Sequence, residues 1–204
     1  KELDFKDRQK IQDFIQRQKQ NEELMKEFSN KLKDNLQNQK TPDQDPMKKE
    51  LERRMDQVQK DALKYFWDFA HPISGMAPER TATPNIVTSG GTGFGIQSIV
   101  AAVHRGWISR ADAVKHLQKM SNFLGKAERF HGAWSHWLDG RTGKMVPFGE
   151  KDNGGDLVET AFLTSGILMV REYFKNGNAE EKALAKKCDE LWKGIELGLN
   201  LCAQ

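Results

Sequence analysis

The segment from Leu157 to Val170 constrains the fold more than any other, because nearly all of its residues are apolar or small. It lies within a predicted helix that runs from Asp156 to Phe174. A helix that is apolar on every side has to be buried on every side. We therefore expect other elements to surround this helix in a layered, mainly helical domain.

Four further helices are predicted from apolar periodicity and from start and stop signals. Ser109 is expected to cap one of them, with Asp112 as its capping partner, and His71-Pro72 is expected to end another. The four helices cover residues 47–70, Gly93–His104, Ser109 to about Ala127, and Asn178 to about Gly194.

Extended structure is predicted in two places. A short piece at Asn85–Thr88 lies within a loop of residues 73–92. Farther along, Ala133–Leu138 and Lys144–Phe148 flank the segment Asp139-Gly140-Arg141-Thr142-Gly143, which is a hairpin signal. The helical domain is therefore expected to carry one small β-hairpin insert.

The first part of the chain has a different composition from the rest. Residues 4–38 are predicted to form one long polar helix with a thin, interrupted apolar stripe, and Pro42 and Pro46 interrupt the chain after it. A solvated stalk fits this pattern better than a coiled-coil dimer does. We expect residues 1–46 to be a polar helical stalk or linker and residues 47–204 to form the globular domain.

The order of the helices indicates how they are arranged. Largely apolar helices alternate with amphipathic ones, as in an α/α toroid, where helical hairpins stack around an axis and form an inner and an outer layer. An all-α bundle is the alternative. A complete toroid needs about twice as many helices. The predicted fold class is therefore all-α, a partial (α/α)6 toroid with one hairpin insert and a long polar helix before it.

Charge and composition argue against several functions. The net charge of +3 comes from interspersed positive and negative residues, so no basic stripe is available to bind nucleic acid. The sequence contains no run of about 18 apolar residues, so no membrane-spanning helix is predicted. Cys188 and Cys202 do not have a metal-binding or Cys-x-x-Cys spacing, and they do not identify the cellular compartment. We expect neither a metal nor a cofactor.

Two Trp and two His residues lie within seven positions, at His131, Trp134, His136 and Trp137. On a continuous strand, Trp134 and His136 would face one side and Trp137 the other. One of these sides could form an aromatic platform for sugar rings; alternatively, both Trp residues belong to the core. Metal binding by the two His residues is disfavoured, because no His-Glu-x-x-His pattern accompanies them.

Three carboxylates lie around the start of the most apolar helix: Asp152, Asp156 and Glu159. Asp156 and Glu159 share a helix face one turn apart. Paired carboxylates in a cleft are what glycoside hydrolysis requires, one as acid and the other as base or nucleophile. The alternative is structural, since Asp-x-x-Glu before an apolar run is also a helix cap with its capping-box partner.

Two other segments admit a structural and a functional interpretation. The segment Gly90-Gly91-Thr92-Gly93-Phe94-Gly95 lacks the pattern of a phosphate cradle, and close packing of the backbone at a helix entry is the favoured interpretation. Arg80, beside Glu79, could bind hydroxyls or orient a carboxylate. It could equally form a surface ion pair of little energetic value.

Six segments, taken together, resemble a known family. They are Tyr65-Phe66-Trp67-Asp68, Ser74-Gly75-Met76-Ala77, Val87-Thr88-Ser89-Gly90-Gly91-Thr92-Gly93-Phe94-Gly95, Arg129-Phe130-His131-Gly132-Ala133-Trp134-Ser135-His136-Trp137, Val146-Pro147-Phe148 and Lys151-Asp152-Asn153-Gly154-Gly155-Asp156-Leu157-Val158-Glu159-Thr160-Ala161-Phe162. They resemble the glucoamylase-like family, which includes the bacterial endo-β-1,2-glucanases of glycoside hydrolase family 144. The resemblance runs from about Tyr65 to Trp192 and does not cover residues 1–50.

The resemblance implies an (α/α)6 toroid, hydrolysis of β-1,2-linked glucan with anomeric inversion, and a periplasmic or cell-surface location. It does not assign the acid and the base. The catalytic candidates are Asp156, Glu159 and Asp152. The candidates for substrate binding are Trp134, His136, Trp137, His131, Arg80 and Phe148.

Three features depart from the family pattern. Pro78 stands where an Arg is expected, the ending Gly194–Gln204 lacks a Trp/Tyr-rich continuation, and the second half of the toroid is absent. We therefore expect a truncated and inactive portion of a hydrolase, whose N-terminus could be lipidated and tethered to a membrane. Two alternatives stay open: a non-catalytic glycan-binding or interaction module and, less favoured, a polysaccharide lyase.

Overall fold

The structure is a computed structural model that describes Asn30 and residues 46–147, 149–150 and 153–201, with side chains in the last helix as far as Ile195. The predicted polar helix of residues 4–38 therefore lies outside the described residues, apart from Asn30. The chain divides into two units, Lys1–Met55 and Asp56–Gln204. Helix α1 begins in the first unit, and all other elements lie in the second.

Five helices and five short strands make up the described part of the chain. The helices are α1 (Pro46–Trp67), α2 (Ser89–His104), α3 (Arg110–Leu124), α4 (Leu157–Phe174) and α5 (Ala179–Leu201). The strands are β1 (Ile86–Thr88), β2 (Arg129–Phe130), β3 (Ala133–Trp134), β4 (Trp137–Asp139) and β5 (Met145–Val146). The predicted mainly helical fold is confirmed.

Helices α2 and α4 pack side by side and run in the same direction. A Cβ built on Gly93 would lie 2.2 Å from the carbonyl oxygen of Phe162, and one on Gly166 would lie 2.7 Å from the carbonyl oxygen of Gly93. Farther along both helices, the Gln97 Nε2 lies 3.3 Å from the Ser165 Oγ. The two glycines let the helix backbones approach more closely than larger residues would allow.

Helices α3 and α5 form a second packed pair. The predicted cap of α3 is present, because the Asp112 N–H donates to the Ser109 Oγ at 3.1 Å. Arg110 at the start of α3 forms an ion pair with Glu181 of α5. The largest fully buried side chains of the core come from both helix pairs, from the strands and, for Met76, from the loop before β1: Trp134, Phe174, Met76, Ile99, Leu124, Leu138, Leu163 and Leu184.

The strands form two small antiparallel sheets, which corrects the prediction of one hairpin insert. The predicted hairpin is present, with Leu138 paired to Met145, and β1 adds a third strand along β4. The predicted strand Ala133–Leu138 is broken, however, and its first two residues pair back with β2. A tight turn at His131 (φ 50°) and Gly132 (φ 83°) joins β2 to β3, and two positive φ angles are typical of a two-residue hairpin turn. The predicted strand breaks at Ser135 and His136, which lie between β3 and β4.

Helix α2 begins earlier than predicted, at Ser89 instead of Gly93. The Ser89 Oγ donates to the carbonyl oxygen of Ser135 at 2.6 Å, and the Thr92 Oγ1 accepts the Ala77 N–H at 3.1 Å. These contacts with distant segments hold a glycine-rich turn in helical form, although its composition alone predicts a loop.

Helix α4 is not buried on every side among the described residues, contrary to the prediction. Leu157, Val158 and Phe162 are 63%, 64% and 40% exposed. A groove of about 480 Å³ also opens between α4 and α5, lined in part by Leu157 and Trp192. No helix in the described part of the chain, α4 included, is long and apolar enough to cross a membrane.

Burial is expected to make Cys188 of α5 chemically inert in the folded protein. Its side chain is buried, and burial raises the pKa of its thiol to about 12. Because the thiolate is the reactive species, we expect a Cys202→Ala variant to resist a disulfide reagent such as DTNB near pH 8 and to react once unfolded in urea. Rapid labelling of the native protein would contradict this burial.

Candidate active site

Asp156 lies immediately before α4, and its carboxylate caps the helix. Its backbone is extended (φ −105°, ψ 113°), and its Oδ1 accepts the N–H groups of Val158 and Glu159, both at 2.9 Å. Its own N–H donates to the carbonyl oxygen of Trp134 at 2.8 Å. The predicted helix cap is thus present, and it uses one of the two carboxylate oxygens.

Glu159 belongs to the first turn of α4, but its carboxylate binds to helix α2. Its Oε2 accepts the Gly90 N–H at 2.9 Å, while the Asp156 N–H, which a capping-box Glu would bind, goes to Trp134 instead. The interpretation of Glu159 as a capping-box partner is therefore wrong. Thr88, the N-cap residue of α2, makes no cap hydrogen bond with its side chain, so Glu159 supplies a cap from another helix.

His136 faces the second oxygen of Asp156. Its Nδ1 lies 3.5 Å from the Asp156 Oδ2, and the two side chains are 29% and 22% exposed. The His136 carbonyl oxygen accepts the Ser89 N–H at 3.1 Å, so the same residue also holds the start of α2. The Trp137 ring meets the imidazole edge-on, with ring centroids 5.6 Å apart.

Glu79 is a charged residue of this region that the sequence analysis considered only as a neighbour of Arg80. Hydrogen bonds from Arg80 and Thr83 hold the pKa of Glu79 below its usual value, and the charge of His136 acts in the same direction. Burial raises the pKa of Tyr65, and the negative charge of Glu79 adds to that effect. Glu79 therefore lies within electrostatic reach of both His136 and Tyr65.

Arg80 forms the surface ion pair that the sequence analysis gave as the alternative to a role in substrate binding. Its Nε donates to the Glu79 Oε2 at 2.5 Å, and its Nη2 donates to the other oxygen. The Arg80 side chain is 64% exposed, whereas that of Glu79 is only 13% exposed. Glu79 thus holds the guanidinium in one orientation at the surface, and the role of Arg80 in substrate binding stays a prediction.

Trp134 belongs to the core, so its prediction as a cleft-wall residue is corrected. It is 0% exposed, its Nε1 donates to the Leu124 carbonyl oxygen at 3.2 Å, and the Arg129 guanidinium lies 3.9 Å from its ring centroid. Its backbone N–H and carbonyl oxygen both contact the Thr160 hydroxyl. Trp134 therefore lies in the core, and its backbone contacts the first turn of α4 through Thr160.

The remaining predicted site residues are not brought into this cluster by any observed contact. His131 is exposed in the β2–β3 turn, where its ring contacts Phe130 edge-on at 4.3 Å between centroids. Asp152 and Phe148 lie outside the described residues. Among the residues that are described, no three His, Cys, Asp or Glu side chains form a group that could hold a metal ion.

The site therefore consists of two carboxylates and an imidazole at the adjoining N-terminal ends of α2 and α4. Asp156 and Glu159 come from the same helix turn, and His136 comes from the segment before β4. Carboxylates and imidazole are the side chains most used in general acid–base catalysis. The sequence analysis missed the contribution of Gly90, for which the glycine-rich segment was a signal.

No protein-family model matches the chain. It is 48% identical over 147 residues to the exo β-1,2-glucooligosaccharide sophorohydrolase (non-reducing end) of Parabacteroides distasonis, a match that covers 71% of this chain and 20% of that protein. The endo-β-1,2-glucanase from Chitinophaga pinensis, solved with sophorotriose and glucose, is 52% identical with a TM-score of 0.67, covering 69% of this chain and 36% of that one. The β-1,2-glucanase structure from Parabacteroides distasonis is 48% identical with a TM-score of 0.69, covering 71% and 21%. The chain thus spans well under half the length of each of these relatives.

Proposed function

The chain belongs to the glucoamylase-like family, which includes the endo-β-1,2-glucanases of glycoside hydrolase family 144, and we propose that it carries part of the active site of a β-1,2-glucan hydrolase. The observation that carries this proposal is the position of Asp156 and Glu159, side by side where α4 meets the start of α2. The proposed reaction is hydrolysis by carboxylate acid–base catalysis with inversion at the anomeric carbon. Asp152 is proposed as a third acidic residue of the site.

The proposed substrate is a neutral glucan chain. His136 and Trp137 are the proposed contacts, because both are half-buried and combine an aromatic surface with polar ring nitrogens. His136 faces Asp156, and Trp137 packs edge-on against His136. A β-1,2-glucanase relative was solved with sophorotriose and glucose, which supports this class of substrate. Arg80, held by Glu79, is the proposed cation at the edge of the site.

The proposed architecture is an (α/α)6 toroid of which this chain supplies a part. Helices α2 and α4 would belong to the inner layer, and α3 and α5 to the outer layer. The exposed apolar side chains of α4 and the groove beside Trp192 support this proposal, because further helices packed against them would remove that surface from water. On this proposal the isolated chain is inactive.

The test uses the longer protein, which is the product of the longest reading frame that contains this chain. Replacing Glu159 by Gln in the longer protein is expected to abolish hydrolysis. Gln keeps the size of Glu but cannot serve as a proton acceptor or as a carboxylate, so we expect reducing-sugar release from linear β-1,2-glucan to fall by about 10²- to 10⁴-fold. The isolated chain, assayed beside it, is expected to release no sugar.

The matched control is Glu172→Gln, near the other end of α4, where the exposed carboxylate pairs with Lys175. This variant is expected to retain full activity. Equal activity of the Glu159→Gln variant and the unchanged protein would refute the proposed role of Glu159. Release of sugar by the isolated chain would refute the proposal that it is an incomplete site.

A non-catalytic glycan-binding or interaction module is the second candidate function. The exposed side chains of Leu157, Val158 and Phe162 favour it, because an apolar helix face of this kind commonly marks an interaction surface. Binding of β-1,2-glucan that persists in Glu159→Gln, together with no hydrolysis by the longer protein, would select this function over the first.

We also propose that the protein is exported to the periplasm or the cell surface, since that is where the family resemblance places a glucan hydrolase. Lipidation of a cysteine upstream of Lys1 would make residues 1–46 a stalk. Fractionation of the native host, followed by detection of the protein in the soluble, periplasmic and membrane fractions, tests this proposal. Recovery in the cytoplasmic fraction alone would contradict it.

A further inference from the structure

Gly90 is the residue of the glycine-rich segment that meets a carboxylate. Its N–H donates to the Glu159 Oε2 at 2.9 Å. A Cβ built on Gly90 would lie 2.4 Å from that oxygen and 2.9 Å from the carboxyl carbon. Any other residue at position 90 would therefore have to displace the carboxylate of Glu159.

The neighbouring glycines have different surroundings. A Cβ on Gly93 would meet the backbone of Phe162, and one on Gly91 would meet the Thr88 hydroxyl at 2.4 Å. A helix backbone cannot move aside without disturbing the fold, whereas the end of a Glu side chain can adopt another rotamer. Substitution of Gly90 is thus expected to move Glu159 and to leave the packing of α2 against α4 in place.

The hydrogen bond at Gly90 also restricts how the carboxylate can be presented. The Oε2 is bound to α2, whereas the Oε1 accepts no hydrogen bond from the residues that the structure describes. A free Glu side chain samples many rotamers, and a catalytic group acts efficiently only when it is held in the productive geometry before the substrate arrives. By binding the Oε2, the contact with Gly90 also holds the Oε1 of Glu159 in a defined position.

We propose that Gly90 is a positioning residue for Glu159: its N–H binds one carboxylate oxygen, and its missing side chain provides the space that the carboxylate occupies. The catalytic importance of this arrangement rests on the proposed function. The arrangement itself does not, and it can be tested in the isolated chain whether or not that chain hydrolyses glucan.

The first test compares the ¹H–¹⁵N NMR spectra of the unchanged chain and of Glu159→Gln at pH 7. The Gly90 amide resonance is expected to shift in the variant, because a hydrogen bond to a carboxylate is stronger than one to a neutral amide oxygen. The amide of Gly91 is the internal control and should respond much less. A Gly90 resonance at the same position in both proteins would overturn the proposal.

The second test is a rescue by a shorter carboxylate, measured as the urea midpoint of four proteins: the unchanged chain, Gly90→Ala, Glu159→Asp and the double variant. Asp is shorter by one methylene, so it leaves room for the added Cβ. The loss of midpoint caused by Gly90→Ala is expected to be clearly smaller when Glu159→Asp is also present. The same loss with and without Glu159→Asp would contradict the proposal.

Gly91→Ala provides the matched control, since it adds a Cβ on the same helix turn without touching Glu159. Its effect is expected to be the same with and without Glu159→Asp. In the longer protein, Gly90→Ala is expected to lower kcat at unchanged KM. If no form of the protein releases sugar, the proposed function fails, while the NMR comparison and the midpoints still decide the role of Gly90.

Discussion

Replacing Gly93 by Ala is expected to destabilise the folded protein by about 3 kcal/mol. The added Cβ would lie 2.2 Å from the carbonyl oxygen of Phe162, 2.5 Å from its carbonyl carbon and 2.7 Å from the Leu163 nitrogen. All three atoms belong to the backbone of α4, so no side-chain rotation can relieve the overlap, and the two helices have to separate. The loss is measured as a shift in the urea midpoint followed by circular dichroism.

Gly91→Ala is the control for this prediction, because it makes the same chemical change two residues away on the same helix. Its Cβ meets the hydroxyl of Thr88, which can rotate, and Ala favours a helix over Gly by up to about 1 kcal/mol. We therefore expect a small change of either sign. If Gly93→Ala were tolerated as well as Gly91→Ala, the close approach of α2 and α4 would be incorrect.

Replacing Trp134 by Ala is expected to destabilise the protein by about 3 to 5 kcal/mol, the range found when a buried aromatic side chain is removed. The side chain is fully buried, so its removal leaves a cavity. It also removes the donor to the Leu124 carbonyl oxygen and the ring beneath the Arg129 guanidinium. Burial lowers the pKa of Arg129 to about 10, and loss of the ring would leave this partly buried cation with fewer favourable contacts.

The matched control for Trp134→Ala is Phe130→Ala in the same hairpin. Phe130 is 59% exposed, so its truncation is expected to change the free energy of unfolding by less than about 1 kcal/mol. Both variants are measured by urea unfolding under the same conditions. Equal losses would show that Trp134 does not have the buried position described, and its earlier interpretation as a sugar platform would have to be reconsidered.

Several local features could be predicted from the sequence because each depends on residues a few positions apart. The Ser109 cap and its partner Asp112 are separated by one helix turn. The hairpin turn is held by Asp139, whose Oδ1 accepts the N–H groups of Arg141 and Thr142 at 2.9 and 3.1 Å. The cap formed by Asp156 is equally local. In each case one side chain satisfies the backbone groups next to it, so no knowledge of the rest of the fold is needed.

The strands were predicted less accurately than these local features, because local periodicity does not specify which strands pair with each other. Alternation over Ala133–Leu138 predicted one strand, and it left open whether Trp134 belongs to an aromatic platform or to the core. The structure breaks that strand into β3 and β4, which pair with different partners. Burial of Trp134 against Leu124 and Arg129 is a tertiary contact, and it decided that Trp134 belongs to the core.

The sequence by itself determined the mainly helical character of this chain, its family, and the position of Asp156 at a helix start. Short-range periodicity and capping chemistry suffice to predict the helices and their starts, and the motif residues suffice to identify the family. Only the tertiary structure decided the partner of Glu159. Its local pattern predicted a bond within α4, yet its carboxylate binds Gly90, 69 residues away. The physical reason is that the glycines of α2 admit α4 so closely that an unpaired N–H at one helix start comes within reach of a carboxylate on the other.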